Sequence, residues 1–229
     1  MRTKNIRGAI VNPIGRIQEL LRLLSKGEFR AAATSIIPKE NKRAWGKNFF
    51  SPLGRHFICL CPWEASYLYM VASKAKHGIL EIGRFNGGST FLLKAACMPN
   101  VKIHSIDIAP RNDKNLMNKL DHYLSRENVY LHVCDSRKTT LHNDIDYDIL
   151  WIDGDHSFEG CLSDLRTFFP RLKPNGHLLL HDAYEGSEVL DAIMAFQRET
   201  PELIPINNIY KTSFYYQDPH GSIAHFMKK

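Results

Sequence analysis

Acidic side chains and histidines follow two apolar segments in the second half of the chain. Asp153 comes directly after the run Asp148–Ile152, and His181 and Asp182 come directly after the run His177–Leu180. If these runs are neighbouring parallel strands, their carboxyl ends meet at the edge of the sheet where open α/β proteins bind ligands. Two carboxylates and an imidazole at that edge could bind a divalent cation such as Mg²⁺.

A second histidine lies in the loop that would cover the same edge. His156 follows Asp153 by three residues. Because imidazole titrates near neutral pH, His156 could act as a general base towards a substrate hydroxyl. Either acid taken alone is more often a solvated loop cap, but two strand-end acids beside two histidines favour a functional site.

A turn with two glycines follows the apolar segment Ile79–Ile82. Gly83 and Gly87 allow a ligand to approach the backbone closely, and the helix predicted after the turn points free N–H groups at it. The second glycine of a dinucleotide fingerprint is missing and Glu81 ends the strand, which disfavours an NAD-dependent oxidoreductase. A tight turn without a ligand is the alternative. Arg84, inside the turn, would point outward or contact an anionic group.

Two further acids end the next predicted strands. Asp107 closes Lys102-Ile-His-Ser-Ile-Asp107, about 20 residues beyond the glycines, where an acid can accept both hydroxyls of a ribose. Asp135 and Ser136 end the third strand and could reach the edge of an adenine ring. A simple loop cap is the alternative for this pair.

The elements that would position these residues alternate between strands and helices. The predicted strands are Gly78–Gly83, Val101–Ile108, Val129–Cys134, Asp148–Ile152 and His177–Leu180, and the predicted helices are 88–97, 113–125, 158–170 and 186–198. This alternation predicts a mostly parallel sheet covered on both faces. The tail differs, because Leu203–Ile209, Thr212–Gln217 and Ser222–Met227 are predicted strands with a hairpin turn at Asp218–Gly221.

Size and composition are those of one globular domain with additional elements. The chain has 229 residues, of which 44% are hydrophobic. No apolar stretch approaches the roughly 18 to 20 residues of a membrane span, and Asn12, Pro13 and Arg16 interrupt the apolar block that a signal peptide would need. We therefore expect a cytoplasmic protein whose five cysteines are buried, reduced thiols.

The positive charge belongs to the first 60 residues. The net charge is +6, but residues 1–60 hold 12 Lys and Arg against 3 Asp and Glu, whereas the remainder is slightly acidic. Residues 14–24 have the spacing of an amphipathic helix, and a second helix is predicted over 28–36. This basic extension would face an anionic substrate, nucleic acid, membrane surface or acidic partner, or form a solvated helical face.

Four segments together resemble a known family. Glu81-Ile-Gly-Arg-Phe-Asn-Gly-Gly-Ser-Thr90, Ile152-Asp-Gly-Asp-His-Ser-Phe-Glu159, Leu172-Lys-Pro-Asn-Gly176 and His181-Asp182 are similar to class I methyltransferases dependent on S-adenosylmethionine (SAM). The most similar branch is methyltransferase family 24, with cephalosporin-hydroxylase-like and macrolide-sugar O-methyltransferase relatives. The resemblance covers about residues 60–229 and is specific for fold and cofactor, not for substrate.

The resemblance implies an α/β, Rossmann-like fold. The sheet would have seven strands, mostly parallel with an antiparallel final strand, and helices on both faces. We accordingly expect a basic helical extension over residues 1–60 and a methyltransferase domain over 61–229.

The resemblance also implies roles for individual residues. SAM would be bound by Glu81, Gly83, Gly87, Ser89, Asp107 and Asp153, with Asp135 and Ser136 near the adenine. In metal-dependent relatives, acids at the positions of Asp153, His181 and Asp182 bind Mg²⁺, and a histidine matching His156 acts as the base. Here His181 replaces the first acid of the pair, which weakens the case for Mg²⁺ because imidazole is a poorer partner for a hard cation.

The activity that follows is methyl transfer from SAM to a hydroxyl of a small molecule, by analogy a sugar or a sugar-containing metabolite. Asp153, Asp182 and His156 would be the catalytic residues. One alternative is an RNA methyltransferase, which the basic extension favours but no aromatic-rich RNA-binding motif supports. Another is a non-catalytic scaffold on the same fold. Assembly into a homo-oligomer is compatible with the sequence.

Overall fold

A seven-stranded sheet lies at the centre of the computed structural model, which describes residues 58–60, 62–139, 146–207 and 222–229. The helices predicted over 14–24 and 28–36, the strand predicted over 212–217 and the turn at 218–221 lie outside the described residues. So does most of the predicted basic extension.

The order and direction of the strands confirm the predicted sheet. The strands are β1 Gly78–Ile82, β2 Lys102–Asp107, β3 Val129–Val133, β4 Tyr147–Ile152, β5 Leu172–Leu180, β6 Leu203–Pro205 and β7 Ala224–Lys228. Their spatial order is β3-β2-β1-β4-β5-β7-β6. Strands β1 to β5 are parallel, and β7 runs antiparallel to both β5 and β6. The chain therefore reverses its direction of winding between β1 and β4.

Five helices cover the two faces of the sheet. They are α1 Pro62–Ala72, α2 Gly88–Ala96, α3 Asp113–Tyr123, α4 Phe158–Phe168 and α5 Glu188–Glu199. Alternating side chains of each strand point to opposite faces, so Ile79 packs with α1, α2 and α3, whereas Leu80 packs with α4 and α5. Because helices cover both faces, the central strands are apolar throughout. No helix in the described ranges is long and apolar enough to cross a membrane.

One strand begins earlier than the sequence predicts. The turn-forming residues Pro174 and Gly176 place the predicted start of β5 at His177, but pairing with β4 already begins at Leu172. The register shifts between Tyr147 and Ile149, and Asn175 takes a left-handed conformation with a φ of 61°. Asparagine tolerates that conformation, so the strand continues through an irregular segment.

Candidate active site

The carboxyl ends of the parallel strands open into a cleft of about 640 Å³. It lies at the reversal between β1 and β4, where sheets of this kind bind ligands. The site residues predicted from the sequence that line it are Gly83, Asp107, Asp135, Ser136, Asp153, His156, His181 and Asp182. Glu81, Gly87 and Ser89 do not line it. Cys59 also lines the cleft. It is exposed, so the prediction that the cysteines are buried is wrong for this residue, whereas Cys97 and Cys161 are buried.

Gly83 brings the glycine turn against the end of β4. Its φ is 85°, and a Cβ atom there would collide with the backbone carbonyl of Asp153. The Gly83 amide donates to the Ile106 carbonyl at 2.8 Å. Only glycine allows this close approach, so the backbone itself forms part of the cleft wall.

Glu81 lies near the end of β1 and helps to hold the glycine turn in place. Its carboxylate is fully buried and accepts hydrogen bonds from the hydroxyls of Ser89 (2.5 Å), Ser105 (2.5 Å) and Thr90. Burial raises the pKa of Glu81 to about 7, although the three hydroxyl donors lower it. Any contribution of Glu81 and Ser89 to cofactor binding would therefore act through the position of the turn.

Asp107 binds the turn from the tip of β2. One carboxylate oxygen accepts from the amides of Arg84 (3.0 Å) and Phe85 (2.8 Å), and the other accepts from the amide of Ala109 (2.9 Å). A carboxylate has about four lone-pair sites, so Asp107 can still accept hydrogen bonds from a ligand in the cleft.

Of the two alternatives for Arg84, pointing outward or contacting an anionic group, its burial excludes the first. Its guanidinium group makes two hydrogen bonds to Asp113 (2.9 and 2.8 Å) and donates to the carbonyls of Ser105 (3.0 Å) and His132 (2.9 Å). The anionic group that it contacts belongs to the protein, at the first residue of α3. Arg84 therefore fixes the glycine turn to β2, β3 and α3.

Asp135 and Ser136 form the wall beyond β3. Asp135 caps the 3₁₀ turn Ser136–Lys138 by accepting from the Arg137 amide at 3.0 Å, and it also accepts from the guanidinium group of Arg137 at 2.9 and 3.1 Å. The hydrogen bonds from Arg137 lower the pKa of Asp135. The Asp135 carboxylate is thus ionised and already paired, whereas Ser136 lies beside it in the cleft.

The two acids and two histidines predicted to meet beyond β4 and β5 lie close together. His181 Nδ1 is 3.1 Å from Asp153 Oδ1 and 3.4 Å from Asp182 Oδ2. His156 Nε2 is 3.3 Å from Asp153 Oδ1, and its Nδ1 is 3.5 Å from Asp182 Oδ2. Asp182 has a φ of 54°, a left-handed conformation that favours glycine, and such backbone strain is common at functional sites.

The protonation states follow from these contacts. Hydrogen bonding to Asp153 raises the pKa of His156, with Asp153 and Asp182 both favouring its charged form. Burial opposes a charge on His181, but Asp153, Asp182 and Glu64 together raise its pKa well above the ordinary value. Burial likewise opposes the charge of Asp153, yet the two histidines lower its pKa. The Asp153 carboxylate and the two imidazoles thus favour each other's charged forms.

Glu64 is a member of this cluster that the sequence did not predict. It lies in the first turn of α1, and its Oε2 is 3.3 Å from His181 Nε2. Its Oε1 accepts from the amide (3.1 Å) and hydroxyl (3.0 Å) of Ser222. Both ring nitrogens of His181 therefore face carboxylates. No sequence signal connects Glu64 to this edge, because the contact depends on α1 packing beside β5 and β7.

The same cluster could hold a cation. Ligand atoms of Asp153, His181 and Asp182 lie within 4.8 Å of one another. Two carboxylate oxygens and an imidazole nitrogen suit a borderline cation such as Zn²⁺ better than Mg²⁺, which prefers oxygen ligands alone. Glu64 would then accept the N–H of the other ring nitrogen, as carboxylates often do beside metal-binding histidines.

A family model matches the part of the chain that forms this cleft. Residues 80–183 match the model of methyltransferase family 24, which is described as a methyltransferase domain. This part of the chain is therefore similar to the methyltransferase domains of that family. The match begins in β1 and ends just after β5. It therefore includes the glycine turn and the four residues Asp153, His156, His181 and Asp182, but not Glu64. No curated protein matches the chain.

Solved structures share the fold of this chain. The O-methyltransferase NovP is 12% identical with a TM-score of 0.61, over 95% of this chain and 99% of NovP. An O-methyltransferase from Bacillus cereus in complex with SAH is 13% identical with a TM-score of 0.59, over 96% of this chain and 94% of that one. A candidate rRNA methylase from Clostridium thermocellum is 17% identical with a TM-score of 0.55, over 72% and 95%. At these identities the similarity shows a common fold.

Proposed function

We propose that this protein uses SAM to methylate a hydroxyl group of a small molecule, by analogy a sugar or a sugar-containing metabolite. The observation that supports this most strongly is one cleft that joins the glycine turn, the Asp107 carboxylate and the cluster around His156. The structurally similar Bacillus cereus O-methyltransferase binds SAH, which supports the same cofactor here.

The cleft fits this cofactor in size and chemistry. Its volume lies within the range of small-molecule sites. The Gly83 backbone would hold the amino-acid part of SAM, and Asp107 would hold its ribose. Asp135 and Ser136 would lie at the adenine, and Asp153 would also contact the cofactor. Glu81, Gly87 and Ser89 would shape the turn. When bound, the cofactor supplies a methyl group on a sulfonium, which is a good leaving group.

The residues of the cluster would prepare the acceptor. His156 is half-exposed and lies between Asp153 and Asp182, so an entering hydroxyl can reach its ring. His156 would accept the hydroxyl proton, which would make the acceptor oxygen a better nucleophile towards the methyl group that the cofactor supplies when bound. Asp153 and Asp182 stabilise the resulting imidazolium, which releases its proton to solvent, and they orient the acceptor.

We include in the proposal a divalent cation at Asp153, His181 and Asp182, for which the donor set favours Zn²⁺ over Mg²⁺. A bound cation would make an acceptor hydroxyl more acidic.

The maximal rate should depend on the protonation of His156. Because Asp153 raises its pKa above the ordinary 6.5, the neutral form that can accept a proton predominates only above that raised value. We expect kcat to increase with pH and to level off on the alkaline side of neutrality. A pH profile of kcat checks this, with SAH affinity followed over the same range to detect loss of cofactor. A kcat that is constant or decreases as pH rises would contradict the assignment.

Glu64 should affect turnover without touching the cofactor. Glu64→Gln keeps the shape of the side chain but removes the negative charge facing His181, so the ring is held less firmly. We expect kcat to decrease about tenfold, as for other residues that orient an active-site histidine, with the KM for SAM nearly unchanged. Glu159→Gln, which alters an exposed acid in the first turn of α4, is the matched control. An unchanged kcat in Glu64→Gln would show that this contact is not needed.

The acceptor class can be tested directly. We would offer SAM carrying a labelled methyl group together with either a panel of hydroxylated sugars and glycosides or total RNA. Label in a small molecule is the expected result. Label in RNA, with affinity that decreases steeply as salt rises, would instead support an RNA methyltransferase, which the Clostridium thermocellum neighbour and the basic residues 1–60 favour. Absence of SAH binding would support the non-catalytic scaffold.

A further inference from the structure

Two layers of polar contacts join α1 to the sheet, and only the upper layer reaches the cleft. The upper layer contains the contact between Glu64 and His181. The lower layer is a chain of three ring side chains, Tyr67, His225 and His177, none of which lines the cleft. The proposed methyl transfer gives this lower layer no role.

The chain of rings is continuous. The Tyr67 hydroxyl lies 2.7 Å from Nδ1 of His225, and Nε2 of His225 lies 2.9 Å from Nδ1 of His177. Only 2% of His225 is exposed, and its ring also meets the Tyr67 ring edge-on, with 5.6 Å between the two centroids. A neutral imidazole has one donor and one acceptor nitrogen, so both hydrogen bonds can form together. His225, on β7, therefore connects α1 with β5.

The two layers have the same spacing along the chain. Tyr67 follows Glu64 by three residues on α1, which is about one helical turn, so the two side chains lie on the same face. His225 follows Ser222 by three residues, and the hydroxyl and amide of Ser222 donate to Glu64 at 3.0 and 3.1 Å. One contact alone would allow α1 to rotate about its axis, whereas contacts on successive turns fix its rotation.

Buried polar groups between α1 and the sheet need an explanation, because apolar side chains would hold a helix there at least as well. A satisfied hydrogen-bond network adds little net stability, but it specifies one arrangement of the elements that it joins. The group at this interface that depends on one arrangement is the Glu64 carboxylate, whose Oε2 lies 3.3 Å from Nε2 of His181.

We propose that Tyr67 is a positioning residue that, through His225 and His177, sets the rotation of α1 and thereby holds Glu64 against His181. Its effect on turnover rests on the proposed function, since it assumes that the cluster around His181 takes part in methyl transfer. Tyr67 lies outside the cleft and acts through Glu64.

The ring resonances of His181 test the inference without an acceptor. In protein labelled with nitrogen-15 at histidine, the His181 signals are identified by their absence from the spectrum of His181→Gln. At one fixed pH, Tyr67→Phe, which keeps the ring but removes the hydroxyl, should shift these signals in the same direction as Glu64→Gln. The matched control is Tyr69→Phe, which removes from the same helix a hydroxyl that donates to the Ala95 carbonyl at 3.4 Å. It should leave the His181 signals in place.

Methyl transfer then connects this position with turnover. With labelled SAM and the most active member of the sugar and glycoside panel, Tyr67→Phe should lower kcat about three- to tenfold and leave the KM for SAM nearly unchanged. In the Glu64→Gln background, the same change should lower kcat by less than about twofold, because Tyr67 acts through Glu64. His225→Phe, which removes both hydrogen bonds of the chain, should give the same two results. Tyr69→Phe should retain kcat in both backgrounds.

Two results would overturn the inference while leaving the proposed function standing. One is an unshifted His181 signal in Tyr67→Phe, and the other is a loss of kcat that is equally large with and without the Glu64 carboxylate. If circular dichroism shows that Tyr67→Phe is unfolded, the same measurements on His225→Phe decide. Absence of methyl transfer by the intact protein would overturn the proposed function and the effect on turnover, and the His181 signals would then decide whether Tyr67 positions Glu64.

Discussion

Replacing His156 with glutamine should lower kcat by about 10²- to 10⁴-fold, the usual contribution of a general base. Glutamine can still form hydrogen bonds to Asp153 and Asp182, but it cannot accept the proton of the acceptor hydroxyl. The loss should therefore appear in kcat, with little change in the affinity for SAH. Single-turnover methyl transfer and calorimetry on the same preparation separate the two effects.

The matched control for this variant is His122→Gln, because His122 is exposed on α3, away from the cleft. It should retain wild-type kcat. If His156→Gln also retained it, the acceptor would lose its proton to another group or to solvent, and the assignment of His156 would be wrong.

Replacing Arg84 with methionine should destabilise the fold by about 3 kcal/mol or more, because removing one partner of a buried ion pair leaves the other without compensation. The change deprives Asp113 of both hydrogen bonds and leaves the carbonyls of Ser105 and His132 without this donor. The glycine turn also loses its connection to β2 and β3, so affinity for SAH should decrease as well. Urea unfolding and calorimetry measure the two losses.

Arg126→Met provides the comparison, since Arg126 makes an exposed ion pair with Asp121. Exposed pairs of this type contribute about 0 to 1 kcal/mol, so this variant should unfold close to the wild type. Equal stability of the two variants would mean that the contacts of Arg84 do not hold the turn in place.

The sequence predicted the features that depend on local patterns. Apolar runs and turns located β1 to β4 and the helices between them, because each such segment carries its own periodicity. It also placed Asp153 and Asp182 at one edge, since the carboxyl ends of neighbouring parallel strands must meet there. The start of β5 was misplaced because Pro174 and Gly176 indicate a turn, whereas pairing with β4 and the tolerance of Asn175 keep the segment extended.

The contacts that the sequence could not predict are nonlocal. Glu64 approaches His181 from a helix more than a hundred residues away in the chain, and Ser222 joins them from the segment before β7. Arg84 is buried because Asp113 and two strand carbonyls surround it, a set of partners that only the packed sheet and α3 assemble. In each case the residue type was visible, but its partners depended on how the elements pack.

Titration of the intact protein with S-adenosylhomocysteine in a calorimeter, repeated with Asp107→Ala, tests most directly whether the cleft is a cofactor site. We expect one molecule to bind per chain, and the Asp107→Ala variant to bind at least about tenfold more weakly because it lacks the carboxylate that would accept the ribose hydroxyls. No binding to the intact protein, or equal binding to both proteins, would contradict the account.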